Sequence, residues 1–300
     1  MFITTYHYIT DPRDAYALHG PAIPEFLAQV DSFSQEYDIK DITQISGQQD
    51  SSRDCIALSF DDGTFHHYRM FPELRKRNII ASFFPIACVF DGIVPITIQT
   101  HIVLSKLAPE VIAAKIEREY PSIVKRIAHE DGIPRKRRLS PLKAMYDEVF
   151  AANIKVVIAD FPVAEKELVI QPLFWEAIDG TVDDFIKTFF MQPEQLKEMH
   201  EAGMIIGAHS YAHTSLKSLS YEEQKKDIAK SKDIIEGIIK SKISAFSYPF
   251  GYYDQNTLTI MRELGFRYGV LFNHQPLGPE PDNLLLSAYD YRDIRQHKKL

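Results

Sequence analysis

Short β-rich runs alternate with segments of helical periodicity along most of this chain, and this alternation limits the folds it can adopt. Most of these runs stop at polar or glycine-containing turns. The predicted strands are residues 2–8, 55–60, 79–86, 204–208, 243–248 and 267–272. Strands that alternate with helices favour a mainly parallel sheet or barrel, whose active site lies at the carboxyl ends of the strands.

Helical periodicity falls between and around these runs. The predicted helices are 23–37, 66–77, 193–202, 221–240 and 254–264. Ser220 and Glu223 have the spacing of a capping box at the start of the fourth helix. Gly203 and Gly265 follow the third and the fifth, where a glycine commonly ends a helix.

The middle of the chain follows a different rhythm. Residues 111–128 and 141–152 have helical patterns, whereas 154–159 could form a strand. We therefore predict one domain over 1–300 that carries an insertion, or lid subdomain, at about 88–192. Its phenylalanine-rich stretch, 185–190, could lie on an interface between copies of the chain, which would make the protein a homo-oligomer.

A basic linker within the insertion has two interpretations. Residues 130–140 contain the run Arg135-Lys136-Arg137-Arg138. Such a run is usually a solvated loop. Clustered guanidinium groups also bind phosphate well, so the run could instead contact a phosphate-bearing substrate or a lipid headgroup.

Composition excludes several classes of protein. The net charge of −7 argues against a surface built for nucleic acid. No apolar run approaches the roughly 20 residues of a membrane helix. The first 20 residues lack the pattern of a signal peptide, and the two cysteines, Cys55 and Cys88, lie in apolar runs typical of buried thiols. These features together predict a cytoplasmic location.

The first chemical motif is an acidic pair after an apolar run, Ser59-Phe60-Asp61-Asp62-Gly63. Successive side chains on a strand point in opposite directions, so one carboxylate can bind a cation while the other faces a substrate. Gly63 permits a tight turn. The alternative is a surface turn that caps a helix, where Asp and Gly are both common.

The second motif is His209-Ser210-Tyr211-Ala212-His213, at the end of another apolar run. Two imidazoles four residues apart can converge on one ion, although helix-capping or core histidines share this spacing. One carboxylate and two imidazoles leave coordination positions open for water and substrate, as a catalytic metal site requires.

A third stretch ends a further predicted strand, and its sequence is Phe246-Ser247-Tyr248-Pro249-Phe250-Gly251. Proline fixes the backbone there and glycine permits a tight turn. A backbone N–H in this turn could face a developing oxyanion. The alternative is an ordinary turn with no role in chemistry.

The order and combination of the three motifs resemble the polysaccharide deacetylase family, the carbohydrate esterases with a NodB-homology domain. The N-terminal run Thr5-Tyr6-His7-Tyr8-Ile9 is similar to the start of some family members. The resemblance spans roughly residues 1–90 and 195–290, with a longer middle segment than is usual in the family. It implies a distorted (β/α)7 barrel with a largely helical insertion.

The resemblance also implies an activity. Family members remove acetyl groups from N-acetylated sugars with a bound divalent metal, often Zn²⁺; Co²⁺, Ni²⁺ and Mn²⁺ are alternatives. The chain would then be a hydrolase of C–N bonds other than peptide bonds. Because the sequence predicts a cytoplasmic location, we expect the substrate to be a cytoplasmic glycan precursor, which could be nucleotide-linked or lipid-linked. A deformylase or an O-acetyl esterase could use the same site, and a catalytically silent sugar-binding protein is a further alternative.

Individual roles follow from the match to the motifs. Asp62, His209 and His213 would be the metal ligands. Asp61 would be the general base that acts on water, and the N–H of Phe250 would stabilise the oxyanion together with the metal.

The remaining roles concern the substrate and the leaving group. Tyr248 and Pro249 would shape the wall of the site beside Phe250. The general acid that protonates the leaving amine would be His274, with His7, a candidate substrate-binding residue, as its rival.

The sequence departs from the family pattern at two points. Many members have an arginine before the proline turn that orients the base, but Ser244, Ala245 and Phe246 occupy that region here. The late Leu-x-His signature that often supplies the acid has no clean match. Asp290 and Arg292 could support the base, or could form a surface pair.

Overall fold

The computed structural model describes residues 1–16, 18–45, 54–140, 147–159, 161, 163–277 and 281–294. The chain divides into two compact units. The first unit consists of Met1–Arg13, His19–Ile93 and Ile186–Leu300, and the second of Asp14–Leu18 and Val94–Phe185. The predicted insertion covers nearly all of the second unit, and its role as a lid stays a prediction.

Parallel strands build the first unit. They are β1 (Phe2–Tyr6), β2 (Asp38–Ile39), β3 (Cys55–Asp62), β4 (Ser82–Pro85), β5 (Ile205–Ile206), β6 (Ala245–Ser247), β7 (Tyr268–Phe272) and β8 (Leu286–Asp290). Their order is β5-β4-β3-β1-β8-β7-β6, and β2 pairs with β3 outside this path. The sequence predicted six of the eight strands found in the described residues, and it missed β2 and β8.

The two ends of this path meet and nearly close a barrel. Ala208, two residues beyond β5, forms a parallel bridge with Phe246 of β6. Its N–H donates to the carbonyl of Ala245 at 3.1 Å, and its carbonyl accepts from the N–H of Ser247 at 2.9 Å. The predicted (β/α)7 barrel is therefore confirmed.

Alternation along the strands separates the barrel interior from the layer that faces the helices. The interior cluster includes Ile3, Ala57, Phe84, Ala245, Val270, Leu286 and Ala288, which come from six strands. The neighbouring strand residues, such as Ile56, Leu58 and Phe60, pack with helix residues in the outer cluster. All eight residues of β3 are buried, as expected for a central parallel strand covered on both faces.

Helices cover the outside of the first unit. They are α1 (Ile23–Glu36), α2 (Phe65–Lys76), α9 (Pro193–Glu201), α10 (Tyr221–Ile239) and α11 (Gln255–Glu263). Each lies within two residues of its predicted bounds. The capping box of α10 is present, because the Ser220 side chain accepts from the N–H of Glu223 while the Glu223 side chain accepts from the N–H of Ser220.

Helices are the regular secondary structure of the second unit in its described residues. Its helices are α3 (Ile96–Lys106), α4 (Pro109–Glu119), α5 (Pro121–Ala128), α6 (Val149–Ala159) and α7 (Val163–Ala177), and α8 (Val182–Phe189) begins in it. The predicted helix 111–128 is divided at Tyr120, because Pro121 cannot donate the hydrogen bond that would continue α4. The first half of the predicted helix 141–152, residues 141–146, lies outside the described residues, and its last four residues begin α6.

The predicted strand 154–159 is wrong, since these residues end α6. The run is rich in β-branched residues, but β propensity depends strongly on its surroundings. Ile154, Val156, Val157 and Ile158 are buried, and α6 packs against α4 and α5. The buried amide of Asn153 fixes the helix further: its nitrogen donates to the carbonyls of Pro134 and Arg137, and its oxygen accepts from the N–H of Leu139.

The arginines of the basic linker bind acceptors within their own unit. Arg135 stacks over the ring of Phe150 at 4.7 Å. Arg137 pairs with Glu130 at 2.6 Å, and Arg138 donates to the carbonyl of Asp147 at 2.7 Å. These contacts favour a structural loop over a phosphate-binding patch.

Three further expectations concern the cysteines, the phenylalanine-rich stretch and membrane-spanning helices. Cys55 and Cys88 are free and buried, as predicted. Phe185 and Phe190 are core residues, so they offer no exposed interface, and the homo-oligomer stays a prediction. None of the helices in the described part of the chain combines the length and apolar character that a membrane crossing requires.

Candidate active site

Four polar side chains continue the interior face of the barrel beyond its apolar layer. Asp61 follows Ala57 with an even spacing on β3, and Asp290 follows Ala288 on β8. Ser247 and His7 extend β6 and β1 in the same way, after Ala245 and Ile3. Because residues two apart on a strand share a face, all four point toward the carboxyl mouth of the barrel.

A left-handed turn redirects Asp62. Asp62 has φ 71° and Gly63 has φ 73°. A side chain at Gly63 would place its Cβ 2.7 Å from the Cβ of Pro85, so only glycine fits there. The left-handed conformation costs a non-glycine residue roughly 1–2 kcal/mol. This cost indicates that the surrounding contacts determine where the Asp62 carboxylate lies.

Asp62, His209 and His213 lie together and are all buried. The Nε2 atoms of the two histidines are 3.1 Å apart. The Oδ1 atom of Asp62 lies 3.7 Å from Nε2 of His209 and 3.5 Å from Nε2 of His213. The structure thus brings together side chains that are about 150 residues apart in the sequence.

This cluster fits a divalent metal in both geometry and chemistry. Ligand atoms about 2.1 Å from one tetrahedral ion are separated by about 3.4 Å, and the three observed separations bracket that value. The Oδ1 atom of Asp62 is buried and accepts no hydrogen bond from any residue that the structure describes. Burial and the charge of Asp61 raise the pKa of Asp62, and a bound cation would relieve both effects.

A backbone contact orients His209. Its Nδ1 atom lies 2.8 Å from the carbonyl of Ser247. A carbonyl can only accept, so Nδ1 carries the proton and Nε2 presents a lone pair to the cluster. Burial lowers the pKa of His209 to about 4, so this imidazole is neutral near pH 7. Neutral imidazole is the form that binds metal.

Asp61 belongs to the proton-transfer side of the site. The hydroxyl of Ser247 donates to its Oδ2 atom at 2.9 Å, while its Oδ1 atom has no hydrogen-bond partner among the described residues. Burial raises the pKa of Asp61 to about 6, and His7, Ser247 and Ser59 oppose that rise. A buried carboxylate with a free oxygen and a raised pKa has the properties of a general base.

The charges around His7 join it to this proton-transfer side. Burial lowers the pKa of His7, the carboxylates of Asp61 and Asp290 raise it, and His209 and Arg292 lower it further. β1 lies between β3 and β8, which explains why His7 is close to residues of both strands. Arg292 Nε contacts Asp290 Oδ1 at 2.9 Å, so these two residues form a pair beside His7.

His274, the other candidate acid, has different neighbours. Its Nδ1 atom lies 2.5 Å from Oδ2 of Asp293, and its ring packs edge-on against Phe272. The Phe272 ring also packs edge-on against His7, with ring centroids 5.0 Å apart. The Asp61 carboxylate raises the pKa of His7, and His7 in turn lowers that of Asp61, so these two groups lie close together.

The proline turn differs in part from its prediction. The Tyr248 ring lies in the core, 1% exposed, and its hydroxyl donates to the carbonyl of Leu284 at 2.8 Å. It therefore cannot form the wall of an open site, and Pro249 is also buried. Phe250 is 46% exposed, has φ 59°, and packs edge-on against His213 with ring centroids 4.6 Å apart.

Sequence reasoning missed two neighbours of the predicted residues. Ser247 stands inside the third motif, but nothing in that motif indicates that its hydroxyl contacts Asp61. Tyr8 is buried near Asp62. Its burial raises the pKa of the Tyr8 hydroxyl, and the charge of the Asp62 carboxylate raises it further. The signal for Tyr8 was its place beside His7 at the end of β1.

The second half of this site lies within a recognised family segment. Residues 173–269 match the family model of the polysaccharide deacetylases. Over this segment the chain is similar to the polysaccharide deacetylases. The matched segment contains His209, His213 and the proline turn, whereas Asp61 and Asp62 join the site through the fold.

A curated protein matches this chain over a short stretch. YxkH of Bacillus subtilis, which carries the name of a polysaccharide deacetylase, is 32% identical over 77 residues. That stretch is 26% of this chain and 28% of YxkH. The chain therefore spans about a quarter of that relative.

Two solved structures match nearly the whole chain. The deacetylase PplD of Streptococcus pyogenes, in complex with acetate, matches with a TM-score of 0.58 and 17% identity, over 99% of this chain and 96% of that one. IcaB of Ammonifex degensii matches with a TM-score of 0.57 and 16% identity, over 100% and 97%. At these identities the two similarities establish the deacetylase fold.

Proposed function

We propose that this protein is a metal-dependent deacetylase that removes the acetyl group from an N-acetylated sugar. The observation that carries the proposal is the buried cluster of Asp62, His209 and His213 beside a free oxygen of Asp61. The relationship to the polysaccharide deacetylases supports the reaction class, and acetate bound in the similar structure of PplD is the product that such a reaction releases.

Asp62, His209 and His213 would hold the metal. Zn²⁺ suits two imidazoles and one carboxylate best, while Co²⁺, Ni²⁺ and Mn²⁺ accept the same donors. When bound, the cation would supply Lewis-acid activation of water and of the acyl carbonyl. The N–H of Phe250, in the turn beside His213, is the protein donor proposed for the oxyanion.

Proton transfers then fall to Asp61 and His7. Asp61 takes a proton from the attacking water through its free Oδ1 atom as the new C–O bond forms. His7 gives a proton to the sugar nitrogen as the C–N bond breaks, so that acetate and a free amine leave. Burial lowers the pKa of His7 overall, and the nearby carboxylates of Asp61 and Asp290 oppose this fall, which favours the protonated form that the step requires.

His7 is a better candidate for the acid than His274. It shares the charge environment of Asp61, whereas the imidazole of His274 is engaged with Asp293. Asp290 and Arg292 then act as positioning residues for His7, as a pair fixed at the end of β8. The Ser247 hydroxyl orients Asp61, a task that an arginine upstream of the proline turn performs in many members of the family.

Acetate release tests the proposal. Metal-free protein is incubated with N-acetylated oligosaccharides, nucleotide-linked and lipid-linked N-acetyl sugars, and matched O-acetyl and N-formyl analogues. Each reaction is run without metal and with Zn²⁺, Co²⁺, Ni²⁺ or Mn²⁺, and the Asp61→Asn variant is the inactive control. We expect metal-dependent release of acetate from at least one N-acetyl sugar.

The analogues separate the alternatives. Release of formate alone would identify a deformylase, and release from esters alone an O-acetyl esterase. Sugar binding without turnover under any metal would support the silent binding protein and overturn the proposal. The sequence leads us to expect a nucleotide-linked or lipid-linked cytoplasmic precursor as the substrate. Comparing the rates of acetate release from the different N-acetyl sugars tests this expectation.

A further inference from the structure

The loop that carries the two histidines has an unusual backbone. Ser210 has φ 61° and His213 has φ 53°, so two non-glycine residues of this five-residue segment are left-handed. Such conformations are sparsely populated and persist only where surrounding contacts impose them. Something beyond the loop therefore has to hold it.

Asp227, on α10, contacts this loop through both carboxylate oxygens. Its Oδ1 atom accepts from the N–H of Tyr211 at 2.8 Å, and its Oδ2 atom accepts from the N–H of Ala212 at 3.1 Å. Burial raises the pKa of Asp227, whereas these two amides and the hydroxyl of Ser210 oppose the rise. The carboxylate thus binds the backbone of the loop between the two histidines.

The opposite edge of the loop is held by backbone donors. The N–H of Ala87 donates to the carbonyl of Ser210 at 3.2 Å, and the N–H of Cys88 donates to that of Tyr211 at 2.9 Å. Inside the loop, the hydroxyl of Ser210 accepts from the N–H of His213 at 2.9 Å. Asp227 is the charged side chain among these partners, so a substitution can remove its contacts selectively.

A second residue of α10 holds the side chain of Tyr211. The ammonium of Lys230 lies 3.7 Å from the centre of the Tyr211 ring and 2.8 Å from the carboxylate of Asp91. The hydroxyl of Tyr211 donates to the same carboxylate at 2.9 Å. α10 is a 19-residue helix with its capping box in place, and it provides a rigid support for both contacts.

We propose that Asp227 is a positioning residue, which fixes the loop between His209 and His213 so that both Nε2 atoms face Asp62 before a cation binds. This inference rests on the proposed metal site. Groups that orient metal ligands without touching the metal typically change affinity by about 10- to 100-fold when they are lost. Asp227 acts one step further out, through the backbone that carries both ligands.

The Asp227→Asn variant tests this role, because the amide keeps the size of the carboxylate but places an N–H₂ group against one of the two loop amides. Asp233→Asn, at an exposed position on the same helix, is the matched control for the change in charge. Metal-free proteins are titrated with Co²⁺, whose visible absorption reports both affinity and ligand geometry. Hydrogen–deuterium exchange of the segment 209–213 is measured in the same metal-free proteins.

We expect D227N to bind Co²⁺ about 10- to 100-fold more weakly, with an altered spectrum, and to exchange faster in 209–213. D233N should match the wild type in all three measurements. Unchanged Co²⁺ affinity, spectrum and exchange in D227N would overturn the inference. Failure of the wild-type protein to bind Co²⁺ would overturn the proposed metal site, and the exchange data would still decide whether Asp227 holds the loop.

Circular dichroism establishes whether D227N folds. If it does not, Asp227→Glu carries the same test, because it keeps the charge and displaces the oxygens by one methylene group. We expect folded D227E to show weaker Co²⁺ binding and faster exchange in 209–213. Wild-type values of both in that variant would contradict the positioning role.

Discussion

The two halves of the candidate site differ in what holds their side chains. On the ligand half, contacts with the backbone fix the geometry: a left-handed turn places Asp62, a carbonyl orients His209, and Asp227 binds the amides of the loop between the histidines. On the proton-transfer half, side chains do so: the Ser247 hydroxyl contacts Asp61, and carboxylates surround His7. Metal binding and proton transfer should therefore respond to different substitutions, and each can be removed separately.

The largest effect should come from the ligand half. His209→Ala removes one of the three proposed ligands and leaves Asp62 and His213 as the remaining two. We therefore expect loss of both Zn²⁺ binding and acetate release. Metal content after dialysis and acetate assays measure the two. His19→Ala, at an exposed histidine, is the control. A wild-type metal content in H209A would contradict the ligand assignment.

Asp61→Asn should produce the next largest effect and leave the ligand half intact. Loss of a general base typically lowers kcat by about 10²- to 10⁴-fold. Asp61 is not among the three clustered ligand residues, so we expect Zn²⁺ affinity close to that of the wild type. Calorimetric titration with Zn²⁺ and steady-state kinetics make the comparison. Equal losses of metal and activity would show that the two halves are not separable.

The acid should be distinguishable by comparing His7→Gln with His274→Gln. We expect H7Q to lower kcat on an N-acetyl sugar by about 10²-fold, and H274Q to stay near the wild type. An aryl acetate, whose leaving group needs no proton, should be hydrolysed at similar rates by both variants. The reverse ranking on the N-acetyl sugar would return the role of acid to His274.

Ser247→Ala should have the smallest effect on kcat, and it should separate proton transfer from metal binding most clearly. The variant removes the hydroxyl that contacts Asp61 but keeps the carbonyl that accepts from His209. One hydrogen bond contributes about 1 kcal/mol, so we expect kcat to fall about fivefold with unchanged Zn²⁺ affinity. Ser218→Ala, on the surface, is the control. A weaker Zn²⁺ affinity in S247A would mean that one residue supports both halves through its side chain.

The sequence predicted the parts of the fold that depend on local pattern. The strands that end at the two metal motifs were found because an apolar run stops at a polar cluster, and α10 was found through its capping box. The strand predicted over 154–159 was wrong because β-branched residues suit a strand or a fully buried helix, and only tertiary packing decides between them.

The supporting contacts of the site could not be predicted in this way. Asp227 stands 14 residues after His213, in a helix whose polar residues all look alike in sequence. Its role depends on the packing of that helix beside the histidine loop. The choice between His7 and His274 depends on strand order, since β1 neighbours β3 and β8 in the barrel.

The even spacing along the barrel strands has an evolutionary consequence. Asp61, His7, Ser247 and Asp290 reach the mouth because each continues the interior face of its own strand. A single inserted or deleted residue within β3 would turn Asp61 to the opposite face, whatever residue replaced it. Divergence among relatives should therefore keep the lengths of these strands, while differences in length collect in the connections between strands.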